Sequence, residues 1–310
     1  MGFKVLYTFP TRQRGMDMVR RVATIKTLRD QYPLSPITED ELLTEIADVD
    51  ALVNVRHVVI NRRIIEAAKR LKIIARHGLG YETIDLEAAT SRNILVTRTA
   101  GQGLHAVAEY TMGVLLALSK RFIPANTSVK SGNWETYNFF GIQVRNKTLG
   151  IIGLGGIGHE VARVAKVAFQ MRVIAYDPYV SQEKAEEVRV KLVDLDSLLR
   201  QSDYISIHAS VEKETKEILS REQFDLMKEG VFVINCARGV MLDEKALYAA
   251  LISGKVAGAA LDVFAEEPPP RDNPILQLEN VILTPHVAGM TEESAEGMAT
   301  SVAESVIAVL

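Results

Sequence analysis

Residues 147–177, KTLGIIGLGGIGHEVARVAKVAFQMRVIAYD, constrain the fold more than any other stretch of the chain. A short apolar, β-branched run at 148–152 has the length of a buried strand. It is followed by Gly153-Leu154-Gly155-Gly156-Ile157-Gly158, which fits G-x-G-x-x-G. Ile157, Val161, Val164, Ala165 and Ala168 then repeat at helical spacing, and 171–176 reads as a second buried strand closed by Asp177. Strand, glycine turn, helix, strand and terminal acid together describe a dinucleotide-binding βαβ unit. Gly153 permits the turn out of the strand, Gly155 lets a diphosphate approach the backbone, and Gly158 lets the helix pack closely on the strand. The helix start offers amides and a positive dipole end to phosphate. Asp177 suits the ribose hydroxyls, and its charge would repel a 2′-phosphate. Pro178 and Tyr179 supply no arginine to receive one, so the pattern favours NAD over NADP.

A chain of 310 residues, 47% of them hydrophobic, predicts about two domains with substantial cores. The net charge of -3 gives no electrostatic reason to expect nucleic acid or an anionic membrane surface. No apolar run is long enough to span a bilayer, and the start, MGFKVLYTFP, reads as a strand rather than a leader. One cysteine, Cys236, excludes an intramolecular disulfide, fits a reducing, cytoplasmic setting and sits at a buried strand end as an inert thiol. No pair of histidines has zinc-like spacing, and no metal is expected.

Taken in order, the chain alternates strands (3–9, 51–55, 72–75, 94–97) with helices (16–28, 38–47, 61–71, 85–90). Pro33 and Pro36 close the first helical stretch, and Thr38 with Glu41 has capping-box spacing. Residues 100–105 are a turn-rich boundary. A strongly apolar helix at 106–118 is expected to bridge two domains, and 122–140, with Trp134, is expected to be irregular. Beyond Asp177, helices at 195–200, 222–227, 243–253 and 291–310 alternate with strands at 204–207, 231–235, 256–263 and 281–284, and 266–274 is a proline-rich loop. The expectation is an α/β protein of two doubly wound domains. Residues 1–99 and 288–310 form one, and 100–287 form a Rossmann-type NAD-binding domain.

Open α/β sheets bind ligands beyond the carboxyl ends of their strands. Arg238, Glu267 and His286 each fall just past a predicted strand end in the second half. A hydride delivered to a ketone leaves an alkoxide that needs a proton, and imidazole titrates near neutrality, so His286 is the candidate acid–base. A carboxylate, Glu267, would orient the ring and stabilise its charged form. The planar fork of Arg238 can clamp a carboxylate and polarise the adjacent carbonyl.

NCARG (235–239), LDVFAEEP (261–268) and TPHVAG (284–289) resemble signatures of the D-isomer-specific 2-hydroxyacid dehydrogenases, as do RHGLGYETIDLEAAT (76–90), AVAEYTMGVLLAL (106–118) and KTLGIIGLGGIG. Within that family the phosphoglycerate dehydrogenase branch is the nearest in pattern. The resemblance implies Arg238, Glu267 and His286 as the catalytic set and selects Glu267 over Glu266 as the acid before proline. It implies a flavodoxin-like substrate domain beside the Rossmann domain. It also implies NAD contacts from Gly153, Gly155, Gly156, Ile157, Gly158, Asp177, His208, Ala209, Cys236, Ala237, Arg238, Asp262, His286 and Ala288. Substrate contacts are implied at Asn54, Arg56, Gly78, Leu79, Gly80 and Arg238. The expected reaction interconverts a D-2-hydroxy acid and its 2-keto acid in a cleft between the domains, with phosphoglycerate, hydroxypyruvate or glyoxylate chemistry. An NAD-sensing corepressor that keeps the same residues is the alternative from another class. Gly156 stands where the family usually has a basic residue, and Leu79 where a polar one is common. Family members pair through the 106–140 region, which implies a homodimer. The chain ends one helix after the last motif, so no C-terminal regulatory domain and no serine feedback are expected.

Overall fold

The computed structural model describes residues 2–30, 37–55, 58–211 and 215–310. Pro33, Pro36, Arg56 and His57 lie outside the described residues. The chain divides into two compact units, residues 1–103 with 290–310, and residues 104–289. The breaks at 103/104 and 289/290 fall a few residues from the expected 99/100 and 287/288. Helix Leu104–Ser119, expected to bridge, groups wholly with the second unit.

The first unit is built on five parallel strands, β1 (Phe3–Tyr7), β2 (Ala23–Thr27), β3 (Ala51–Val55), β4 (Ile73–His77) and β5 (Leu95–Arg98), in the order β2-β1-β3-β4-β5. That is the flavodoxin-like order. Strand β3 is buried along its whole length, as a central strand covered on both faces must be. Helices α1 (Gln13–Arg20), α2 (Glu39–Ile46), α3 (Arg62–Ala67) and α4 (Leu86–Ser91) connect the strands. Side-chain caps from Thr38, Asn61 and Asp85 start the last three, and Thr38 and Glu41 form the expected capping box. The expected helix at 16–28 is two elements: α1 ends at Arg20, and Ala23–Thr27 is an edge strand. Its ATIKT sequence alternates half-buried and exposed residues, a period of two that a helical reading passed over. The closing helix, Glu292–Val309, packs on α1 and β4 of this unit through Ala299, Val302, Ala303 and Val306.

In the second unit, α5 (Leu104–Ser119) is followed by α6 (Phe122–Lys130), a helix where irregular chain was expected. No residue of α6 is buried, so it lacks the apolar stripe that reveals a helix, and Pro124 lies in its first turn, where no backbone donor is needed. Seven parallel strands follow: β6 (Thr148–Ile152), β7 (Arg172–Tyr176), β8 (Lys191–Leu192), β9 (Tyr204–Ile207), β10 (Val231–Asn235), β11 (Val256–Leu261) and β12 (Val281–Leu283). Their order is β12-β11-β10-β9-β6-β7-β8. Numbered from β6, this is the 3-2-1-4-5-6 Rossmann arrangement with one more strand, and the order reverses between β9 and β6. Helices α7 (Gly156–Phe169), α8 (Gln182–Glu186), α9 (Leu195–Gln201), α10 (Arg221–Leu226) and α11 (Glu244–Ser253) cover the faces; the closing helix is α12. Among the described residues no helix is long and apolar enough to cross a membrane.

Candidate active site

Because every strand of the second sheet is parallel, all their carboxyl ends share one edge. Along it stand the glycine turn after β6, Asp177 after β7, His208 after β9, Arg238 after β10, Asp262 after β11 and His286 after β12. The three residues expected to do chemistry therefore follow three adjacent strands, β10, β11 and β12.

The glycine turn has the geometry its sequence demands. Gly153 has φ +92°, and a Cβ there would overlap the backbone of Ala209 and His208. A Cβ at Gly158 would overlap the carbonyl of Gly153, which fixes how closely α7 approaches β6. Gly155 differs, since an added Cβ would meet nothing within 4 Å. Open space beside its backbone, at the start of a 14-residue helix, is what a diphosphate requires. A side chain at Gly156 would press on Leu104 Cδ1 at 2.8 Å. Ile157 packs against the core under α5 and α7. Asp177 lies against the turn, where its Oδ2 accepts from Leu154 N at 2.8 Å and its Oδ1 from Tyr179 N at 2.9 Å. His208 Nε2 pairs with Ser206 Oγ at 2.8 Å, while its buried Nδ1 has no partner among the described residues. Burial pushes this imidazole down to about 4, so the ring is neutral at pH 7. Open space at Gly155, a carboxylate at the end of β7 and a neutral ring at the switch point fit an NAD molecule lying along this edge.

The β10 loop is tied by Asn235, a residue the sequence reading passed over. Its Nδ2 donates to Arg238 O at 2.9 Å and its Oδ1 accepts from Ala237 N at 3.0 Å. An asparagine side chain bonding the backbone two and three residues on is a recognisable turn signal. Arg238 Nη1 donates to Ala237 O at 2.7 Å. Burial pushes the Cys236 thiol up to about 12, which makes it an inert thiol. Gly239 is the second residue missed. A Cβ there would overlap the backbone of Phe264 and Ala265, so the Arg238 and Glu267 loops abut only because position 239 has no side chain.

Asp262, expected as a cofactor contact, holds the loop that carries His286. It is 2% exposed, and its carboxylate accepts from Thr284 Oγ1 (2.6 Å), Val287 N (2.9 Å) and Ala288 N (2.8 Å). His286 N donates to Asp262 O at 2.8 Å. Asp262 thus shapes the histidine loop from within, binding the amides of Val287 and Ala288. His286 Nδ1 lies 2.8 Å from Glu267 Oε2, and Glu267 Oε1 accepts from Phe264 N at 3.1 Å. One carboxylate oxygen is anchored to its own loop while the other meets the ring. Glu266, the competing acid, is exposed. His105 Nδ1 lies 3.3 Å from Glu160 Oε1, and His159 Nε2 lies 3.7 Å from Glu187 Oε2.

In the first unit, Asn54 and the 78–80 turn lie at the carboxyl ends of β3 and β4, which are neighbours in register. Asn54 is buried, and Gly78 has φ +138°. Gly78 N donates to Thr99 Oγ1 at 2.9 Å, whereas the Leu79 and Gly80 amides donate to no described group.

The sequence pattern described as "D-isomer specific 2-hydroxyacid dehydrogenase, NAD binding domain" matches residues 112–288. A D-3-phosphoglycerate dehydrogenase of Archaeoglobus fulgidus is 42% identical over 98% of this chain and 56% of its own length. A glyoxylate reductase of Korarchaeum cryptofilum is 37% identical over 98% of this chain and 92% of its own. Among solved structures, the TT0316 protein from Thermus thermophilus superposes with a TM-score of 0.92 at 32% identity, covering 99% of this chain and 96% of that one. The chain spans little more than half the length of the phosphoglycerate dehydrogenases it matches. With the Rossmann strand order, the glycine turn and an NAD-binding pattern over more than half its residues, the chain belongs to the D-isomer-specific 2-hydroxyacid dehydrogenase family.

Proposed function

We propose that this protein is an NAD-dependent dehydrogenase interconverting a D-2-hydroxy acid and its 2-keto acid. The reading rests on the 2.8 Å pair of His286 Nδ1 and Glu267 Oε2, which follow β12 and β11, the two strands next in order beyond β10, after which Arg238 stands. With Nδ1 turned to the carboxylate, the ring hands its proton over through Nε2. In reduction that proton goes to the oxygen of the former ketone, and in oxidation it returns to the ring. Glu267 fixes the ring plane and stabilises the charge it carries. Arg238 pairs with the substrate carboxylate and polarises the carbonyl beside it. Gly153, Gly155, Gly156, Ile157 and Gly158 hold the diphosphate of NAD, Asp177 the adenine ribose, and His208, Ala209, Cys236 and Ala237 flank the bound dinucleotide. The nicotinamide, when bound, supplies or accepts the hydride. Leu79 and Gly80, through their amides, together with Asn54 and Arg56, take the acid group of the substrate.

Phosphoglycerate, hydroxypyruvate and glyoxylate are the substrate classes to compare, since relatives named for each have similar identity to this chain. Oxidation of NADH across a panel of 2-keto acids, followed by chiral analysis of the product, tests the reading. A D-2-hydroxy acid product supports it. NADH binding without turnover of any panel member would favour the corepressor-like alternative. The protein pairs as a homodimer in the cytoplasm. Support for pairing comes from the exposed apolar residues Phe122, Ile123, Val129, Trp134, Tyr137 and Phe140 on the second unit.

A further inference from the structure

Arg76 is one of few charged side chains buried in the first unit, at 4% exposure near the carboxyl end of β4. A guanidinium withdrawn from water is costly unless its donors are used. Here they are spent on main-chain carbonyls at the ends of two neighbouring strands and in the turn after one of them. Nε donates to Gly80 O at 2.7 Å, and Nη1 to Asn54 O at 3.0 Å and to His77 O at 3.2 Å. The plane of the group passes beneath Gly78, where an added Cβ would stand 3.5 Å from Nη2 and 3.6 Å from Cζ.

These bonds determine which way the peptides of the turn face. In a trans peptide the C=O and N–H point in opposite directions. The 77–78 peptide is held from both sides, its carbonyl by Arg76 and its amide by Thr99 Oγ1. The carbonyl of the 78–79 peptide accepts from Thr99 N at 3.2 Å, and that of the 80–81 peptide accepts from Arg76 Nε. The Leu79 and Gly80 amides lie between these fixed planes. The same guanidinium holds the 54–55 peptide, whose amide donates to Thr8 Oγ1 at 2.8 Å. One side chain therefore sets the turn after β4 and the end of β3 against each other.

We propose that Arg76 is a positioning residue, a buried brace that locks the end of β3 and the turn after β4 in the arrangement that receives the acid group of the substrate. The proposal rests on the reaction proposed above for its effect on turnover, but not for the brace itself. The adjacent His77 is neutral: burial first, and then the neighbouring guanidinium, lower that ring to about 4. Arg76 therefore stands as the fixed cation under the turn, while the histidine beside it contributes no charge at pH 7.

The test uses the full chain with Arg76→Lys and Arg76→Met. A lysine keeps the charge but lacks the fork that reaches carbonyls of β3 and of the turn after β4 at once. The brace predicts amide exchange at residues 78–82 accelerated by about tenfold or more in both variants, with 148–176 unchanged. It also predicts a KM for the 2-keto acid raised by about tenfold or more, kcat within about threefold, and KM for NADH within about twofold. If Arg76→Met does not fold, Arg76→Lys carries the test. Exchange equal to wild type at 78–82 would overturn the brace. So would an unchanged keto-acid KM in an active enzyme, or equal losses of NADH and keto-acid affinity. A wild-type protein that turns over no 2-keto acid would instead refute the proposed reaction, and the exchange result alone would then decide the brace.

Discussion

His286 adopts φ 57°, a left-handed conformation that costs a side-chain-bearing residue roughly 1 to 3 kcal/mol. The surroundings hold it there: its amide donates to Asp262 O, Asp262 also binds Val287 N and Ala288 N, and Glu267 meets its ring. The proposed reacting residues are chosen by type, because chemistry limits the choice to imidazole, carboxylate and guanidinium. The residues that aim them were not legible in the sequence. Asn235, Gly239 and Asp262 work through bonds and contacts that exist only once the β10, β11 and β12 loops are side by side. The buried histidines give a prediction at this scale. His77 and His208 each titrate at about 4 when folded against 6.5 in the reference state. Between those values the unfolded chain binds more protons than the folded one, so stability falls as pH drops from about 6.5 toward about 4. At pH 5 each ring costs at most about 2 kcal/mol. Denaturant midpoints at pH 7 and pH 5 should show the fall, and His77→Asn or His208→Asn should reduce it. A flat profile in the parent protein would contradict the assignment.

At the scale of the element, the βαβ unit was readable almost to the residue, since Gly153 and Gly158 answer steric demands of the turn and β6 is buried along its whole length. Edge strand β2 and helix α6 were not readable for the same reason in reverse. Helix α6 buries no residue and so prints no apolar period, and the alternation of β2 spans only five half-buried or exposed residues, too short to stand out from the helical pattern before it. The glycines predict opposite outcomes for one added methyl group. Gly155→Ala has open space and φ −69°, so stability should change by less than about 0.5 kcal/mol while NADH affinity drops by tenfold or so, because the methyl occupies the diphosphate's place. Gly158→Ala meets the Gly153 carbonyl and should lose roughly 1 to 3 kcal/mol of stability. Urea unfolding with NADH fluorescence titration separates them. A destabilised Gly155→Ala that binds NADH normally would sink this account of the turn.

Across the whole molecule, the two doubly wound sheets follow from alternation of strands and helices, and that alternation was visible throughout the sequence. Register and neighbour order were not, because parallel strands far apart in sequence are matched by the packing of the helices that cross between them. The apolar residues exposed on α6 and in the stretch after it call for a covering surface: Trp134 is 83% exposed and Tyr137 81%. Light scattering should give twice the chain mass of 34.2 kDa, and Trp134→Ser with Phe140→Ser should shift the protein toward monomer. A monomeric parent protein at tens of micromolar would contradict pairing.

The central claim is that His286, Glu267 and Arg238 act together on a 2-keto acid at the carboxyl edge of the NAD-binding sheet. Steady-state kinetics of His286→Ala and Arg238→Ala with NADH and the best panel substrate test it most directly. The account predicts that kcat/KM falls by about 100-fold or more in each variant. NADH affinity should stay within about threefold and the unfolding midpoint close to that of the parent. Near-parental turnover by either folded variant would contradict it.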